Sequence, residues 1–202
     1  MIDLKKLEKI LPLVEKPGRY IGGEVGIARK NTDVPIRFLF AFPDIYEVGM
    51  SHLGSVILYH LTNEREDTYA ERAYAPFPDM QEQMQKEGIP LFSLETHSAA
   101  REFDIIGFNL SYEMCYTTVL RMLELADIPL RARERGEEFP LIIAGGTCTY
   151  NPEPLADFID LFIIGEGEQV NMELLDLYAA HKKAGGSREE FLKAAAGIEG
   201  IY

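Results

Sequence analysis

The sequence predicts an α/β protein: a doubly wound, flavodoxin-like or Rossmann-like, mainly parallel sheet with flanking helices, preceded by an N-terminal helix and a short extended segment. Two observations predict it. Four short runs, "IRFLFAF" (36–42), "DIIGFN" (104–109), "PLIIAGG" (140–146) and "DLFIIGEG" (160–167), are apolar on successive rather than alternate positions, as a parallel strand covered on both faces requires. Each run leads into a loop rich in Gly, Pro or Asn and then into a helical stretch, the order expected of right-handed crossover units.

The elements follow in order. Leu4, Leu7, Ile10, Leu11 and Val14 share one face at helical spacing, which predicts a helix over Ile2–Glu15 closed by Pro17-Gly18. "GRYIGGEVGIARK" alternates around Gly22-Gly23 and predicts an extended excursion or hairpin. Those glycines follow no strand and open no helix, so they make no phosphate loop. After the first run, Leu53, Val56, Ile57, His60 and Leu61 predict a helix over Ser51–Leu61 with that stripe turned to the core. "TYAERAYA" (68–75) and "PLFSLE" (90–95) are weaker strand candidates. Cys115, Val119, Met122, Leu123 and Ala126 mark the buried stripe of a helix over Tyr112–Ala126, which makes Cys115 a small hydrophobe, and the methionines at 80, 84, 114 and 122 packing groups. "NPEPLADF" reads as a proline-punctuated loop into a short helix, and "GEGE" (165–168) opens the helix that continues through "LLDLYAAH". The organisation expected is a lead-in over 1–34, an α/β domain over 35–182, and a C-terminal helix or linker over 183–202.

Composition narrows the class. The chain has 202 residues, 47% of them apolar and 26% charged, enough for a sizeable core without disulfides or metal. Its 33 acids against 20 bases give a net charge of −13, which offers little to a phosphate backbone and argues against nucleic acid as a partner. The two thiols, Cys115 and Cys148, lack paired spacing, and no signal-peptide block or membrane-spanning apolar run is present, so a reduced cytoplasm is the expected location. His52, His60, His97 and His181 show no metal spacing, and His97 and His181 read as surface residues.

In a doubly wound sheet the ligand crevice lies outside the carboxyl ends of the strands. The residues after the four runs should therefore converge: Asp44 to Gly49, Asn109 to Tyr112, Gly145 to Thr149 and Gly165 to Glu168. Asp44 and Tyr46, two apart, would face the same side of an extended loop, with Asp44 alternatively a turn or cap. Asn109, Ser111 and Tyr112 carry hydrogen-bonding groups just after a buried strand, although Ser111 suits an N-cap equally well. Gly145 and Gly146 would let a ligand approach backbone N–H groups with Thr147 beside them, or simply form a tight turn. Gly165 and Gly167 permit a sharp turn. Glu166 and Glu168 would then sit at a helix N-terminus, where acids contribute about 0.3–1 kcal/mol.

Taken together, "PDIYEVGMSHLG", "FDIIGFNLSYEMCYTTVLRMLELADIPL", "IIAGGTCTYNPEPLADFIDLFIIGEGE" and "GIEGIY" resemble the amino-terminal region of a family of B12-binding-domain radical SAM proteins. The order of corners is similar to the cobalamin-binding fold of methionine synthase and methylmalonyl-CoA mutase, and the likeness runs from Pro17 to Tyr202. It implies a cobalamin-binding-type accessory domain that presents a corrinoid to a downstream barrel. The cofactor would be held by Asp44, Tyr46, Gly49, Asn109, Ser111, Tyr112, Gly145, Gly146, Thr147, Gly165 and Glu166. The 4Fe–4S cluster and S-adenosylmethionine would belong to the downstream radical SAM domain, the implied partner, and the chain itself reads as an excised piece with no catalytic residues of its own.

Two departures qualify the likeness. Where the cobalamin motif has a cobalt-ligating His, this chain has Tyr46, and a phenol is a poor replacement for imidazole. His52 would have to reach back from the following helix. Radical SAM chemistry also needs a trio of closely spaced cysteines, which this chain lacks. The alternative reading is a cofactor-free, degenerate cobalamin-fold domain acting in docking or protein interaction. A nucleotide-binding sheet of unrelated purpose is the remaining reading, with little encouragement from the sequence, because neither G-x-G-x-x-G after a strand nor a P-loop occurs.

Overall fold

Alternate residues of the central strands enter opposite cores. The computed structural model describes residues 1–202 and contains a five-stranded parallel sheet of β1 (Ile36–Phe42), β2 (Thr68–Tyr74), β3 (Ile105–Asn109), β4 (Leu141–Gly145) and β5 (Leu161–Phe162), in the order β2-β1-β3-β4-β5. Leu39, Ala41, Ile106, Phe108, Ile142 and Ala144 enter one apolar cluster, while Ile36, Phe38, Ile105, Leu141 and Ile143 enter the other. Successive side chains of a strand point to opposite faces, so the runs are apolar on successive positions, with Arg37 of β1 paired to Glu71 of β2 as the charged exception. The doubly wound α/β class expected from them is the one observed.

Seven α-helices accompany the sheet: α1 (Leu4–Ile10), α2 (Tyr46–Ser51), α3 (Leu53–Glu64), α4 (Pro78–Glu87), α5 (Tyr116–Leu125), α6 (Gly167–Ala184) and α7 (Arg188–Ala195). Helix α5 closes the first core with Val119, Met122 and Leu123, and Cys115 and Ala126 are buried beside it. Tyr59 of α3, Leu174 and Leu175 of α6, and Phe191 and Ala195 of α7 close the second. A smaller cluster joins α1 to α4 through Leu7, Ile10, Met80 and Met84. Burying such side chains fully contributes about 1.5–3 kcal/mol each. Beyond β5, Gly200 to Tyr202 run antiparallel to that edge, with Phe162 and Tyr202 exchanging N–H···O bonds of 2.8 and 2.9 Å. No helix is long and apolar enough to cross a membrane.

Several local expectations are corrected. "GRYIGGEVGIARK" forms neither strand nor hairpin but an irregular strap, tied down by Ala28, whose N–H donates to Tyr59 Oη and whose carbonyl accepts from Tyr69 Oη. "PLFSLE" makes only an isolated bridge between Phe92 and Ala99. The opening helix gives way at Leu11 to a 3-10 turn, where Pro12 supplies no N–H. The face of α3 differs as well: Tyr59 and Thr62 are buried, whereas Leu53, Ile57 and His60 are exposed. Met114 is 83% exposed, so it does not pack, and His97 is half-buried with its ring against Phe92.

Candidate functional site

The N-terminal half of α3 stands off the sheet, and the gap beneath it is a crevice of about 270 Å³ at the carboxyl ends of the strands. Strand order reverses between β1 and β3, the topological switch point where doubly wound sheets bind ligands. Phe38, Phe40, Gly107, Ile143 and Ile163 form the floor, and Ser55, Val56 and Leu58 of α3 face them. A Cβ on Gly107 would lie 2.8 Å from Phe38 Cζ, so the glycine leaves the space that the phenyl ring occupies. The volume lies just below the roughly 300–1,000 Å³ usual for ligand pockets.

All four loops named from the sequence contribute, though not every residue. Gly49, Asn109, Gly145, Gly146, Gly165, Glu166, Gly167 and Glu168 line the crevice. Gly49 is buried against Tyr74, and a Cβ there would lie 2.2 Å from Tyr74 Cε1, so the position needs glycine. Gly146 has φ 103°, and its Cβ would fall 2.9 Å from the Leu110 carbonyl, so only glycine lets the β3 and β4 loops interlock. Gly165 has φ 108°. A Cβ on Gly145, in contrast, meets nothing closer than Ile163 Cβ at 3.9 Å.

Asp44, Tyr46, Ser111, Tyr112 and Thr147 are not in the wall. Asp44 and Tyr46 diverge because Tyr46 begins α2 instead of continuing an extended loop. Tyr46 packs edge-on to Tyr74 and its hydroxyl donates to Glu24 Oε1 at 3.3 Å. Burial first, and the Glu24 charge second, raise its pKa above the ordinary phenol value. Asp44 accepts from its neighbour's N–H, Ile45, at 2.7 Å and from Tyr112 Oη at 2.5 Å. Ser111 donates to Asn109 Oδ1 at 2.6 Å and caps no helix. Thr147 is exposed; the structural hydroxyl is Thr149, fully buried and shared between the Gly146 and Ile163 carbonyls at 2.8 and 2.9 Å.

His52 lies between α2 and α3 against Phe42. Its Nδ1 accepts the Ser55 N–H at 3.1 Å, capping α3. In neutral imidazole the hydrogen is then on Nε2, which leaves no lone pair there for a metal.

The charged group that sequence reasoning missed is Arg72 of β2, the one basic residue in the wall. Its Nε donates to Glu95 Oε1 at 2.7 Å, its backbone N–H to Glu95 Oε2 at 2.7 Å, and its guanidinium lies over Tyr59 at 4.4 Å. Burial pulls its pKa down, and the Glu95 charge and hydrogen bond more than offset this, leaving it above the ordinary value. Its only sequence signal was a Glu-Arg pair in a strand otherwise suited to a core.

No cluster of three His, Cys, Asp or Glu side chains is arranged to hold a metal ion. Residues 54–202, from the first turn of α3 onward, match the model of the family described as radical SAM proteins, N-terminal. Asp44, Tyr46 and Gly49 precede the matched stretch. No curated protein and no solved structure gives a match.

Proposed function

Because the chain belongs to the family of radical SAM protein N-terminal regions, we propose that it is the accessory domain that holds a corrinoid for a linked radical SAM domain. The observation carrying this reading is the crevice at the β1/β3 switch point, floored by Phe38, Phe40 and Gly107 and rimmed by glycines from the four loops. Those residues fit the apolar end of a cofactor tail. Gly145, Gly146 and Gly165 leave backbone accessible at the mouth, where a ring too large for the crevice would rest. When bound, a corrinoid supplies a cobalt centre for methyl-transfer or radical-rearrangement chemistry in the complete protein. The chain's own part is to bind and orient it.

Neither Tyr46 nor His52 supplies an axial ligand in this reading, since one hydroxyl is committed to Glu24 and the other ring to its helix cap. The test is a visible spectrum and gel-filtration co-elution after incubation with hydroxocobalamin. Corrinoid should travel with the protein and lack a histidine-ligated spectrum. Failure of the full-length protein to retain it contradicts the proposal.

The commitment of Tyr46 to Glu24 also favours a second reading, a cofactor-free docking domain. It requires that no corrinoid binds, and that deletion of residues 1–202 from the full-length protein still impairs its stability or partner binding.

A further inference from the structure

The two ends of the sheet carry different surfaces. Leading into the strands, Asp67, Asp104 and Asp160 are ion-paired, the first with Arg65, the second with Lys182 and the third with Arg135 and Arg188. No large apolar side chain is exposed in the residues that immediately precede the strands. Beyond the carboxyl ends the pattern reverses. Met114, after β3, is 83% exposed, Tyr150, after β4, is 76% exposed, and Leu53, which opens α3 beyond β1, is 69% exposed. The loops that carry them are tied into one rim. Tyr112 Oη donates to Asp44 between the loops after β3 and β1, and Cys148 N–H donates to the Leu110 carbonyl at 3.0 Å between those after β4 and β3. A single exposed apolar residue is ordinary, but several gathered on one edge mark an interaction surface.

Charge restricts what can cover that edge. Residues 43–52, 110–115, 146–153 and 164–168 contain six acids and no Lys or Arg. Of these acids, Glu47 alone is ion-paired, with Arg19 and Lys16. A second copy of the chain on this face would set acids against acids, and nucleic acid or an anionic membrane would meet the same repulsion. The partner that fits presents apolar side chains ringed by Lys and Arg.

We propose that this rim is the docking face for the linked radical SAM domain, with Met114, Tyr150 and Leu53 as apolar contacts and Glu113, Glu166 and Glu168 paired to bases of that domain. The family is described as N-terminal in radical SAM proteins, so such a domain belongs to the same chain, and a tethered partner meets the face at high effective concentration. The assignment rests on that membership and not on what fills the crevice.

The experiment measures maleimide labelling of two cysteine variants of the full-length protein, Met114→Cys on the rim and Glu66→Cys, exposed ahead of β2, as the reference. The modified peptide is read by mass spectrometry. Met114→Cys should react at least ~10-fold more slowly than Glu66→Cys, because labelling must await opening of the interface. Adding Leu53→Asp and Tyr150→Asp should restore the reference rate. Both positions are exposed, and an acid is compatible with the first turn of α3, so far-UV circular dichroism should be unchanged. Carbodiimide should join Glu113, Glu166 or Glu168 to lysines of the radical SAM domain. Equal labelling rates, or protection that survives the two Asp substitutions, would overturn the assignment. So would cross-links between two copies, with protection lost on dilution, which would make a second copy the occupant. Labelling is performed without added corrinoid, so failure of the corrinoid reading leaves this test intact.

Discussion

Tyr112 donates a hydrogen bond to Asp44, Oη to Oδ2 at 2.5 Å, joining the loop after β3 to the loop after β1 beside the crevice mouth. Both residues were expected at the site as ligand contacts, and they meet each other instead. The bond raises the Tyr112 pKa to about 12 from 10.0 because losing its proton would place a phenolate against a carboxylate.

Tyr112 should therefore be the tyrosine whose titration Asp44 controls. A folded-state pKa above the unfolded one contributes stability that is complete below about pH 10 and lost as pH rises through about 12. Phenolate absorbance should lose a component near 12 in Tyr112→Phe. In Asp44→Asn the same component should move back toward 10.0, and no movement would refute the pairing.

Glycines of the crevice should differ sharply under alanine substitution. Gly49→Ala drives a Cβ against the Tyr74 ring at 2.2 Å and should cost about 1–3 kcal/mol. Gly145→Ala has open space and should change stability by no more than about 1 kcal/mol. Urea midpoints of the two variants provide the comparison.

Glu71 should be among the most sensitive charged positions. Its side chain is fully buried, pairs with Arg37 at 2.5 Å and accepts from Ser93 Oγ, Thr96 Oγ1 and Thr96 N–H. Glu71→Ala strands the guanidinium and those donors, and should destabilise the protein by about 3–5 kcal/mol in denaturant unfolding.

Tyr46→His should not create a cobalt ligand. The position begins α2 and faces Glu24 and Tyr74. A corrinoid bound to this variant should keep the wild-type spectrum, whereas a histidine-ligated spectrum would show that residue 46 reaches the metal.

The sheet was legible because its signal is local. Residues 36–42 read as a covered parallel strand from their own composition, and β1 occupies those residues. The stripe of α5 was equally plain, since Cys115, Val119, Met122, Leu123 and Ala126 are all buried. Helix α3 was misread because periodicity assumes that the apolar stripe meets a packed floor. Here its N-terminal half spans the crevice, and the buried positions are Tyr59 and Thr62, whose hydroxyls meet Ala28 N–H and the Asn171 amide. Arg72, Glu95 and Glu24 were missed because a buried ion pair is a relation between distant segments, and each residue alone reads as solvated. The loops could be named in advance because strand order dictates where they gather. Which side chains enter the crevice depended on α2, a one-and-a-half-turn helix that redirects Tyr46 and that no sequence pattern announced.

The crevice beneath α3 is proposed to be the ligand site, with a corrinoid as its ligand. Calorimetric titration of hydroxocobalamin into the full-length protein and into Gly145→Leu is the measurement to make, because a leucine there narrows the crevice from a wall position where a Cβ has room. Saturable binding to wild type, weakened at least ~10-fold in the variant, is the expected result. Equal affinity in both, or no binding to either, would contradict it.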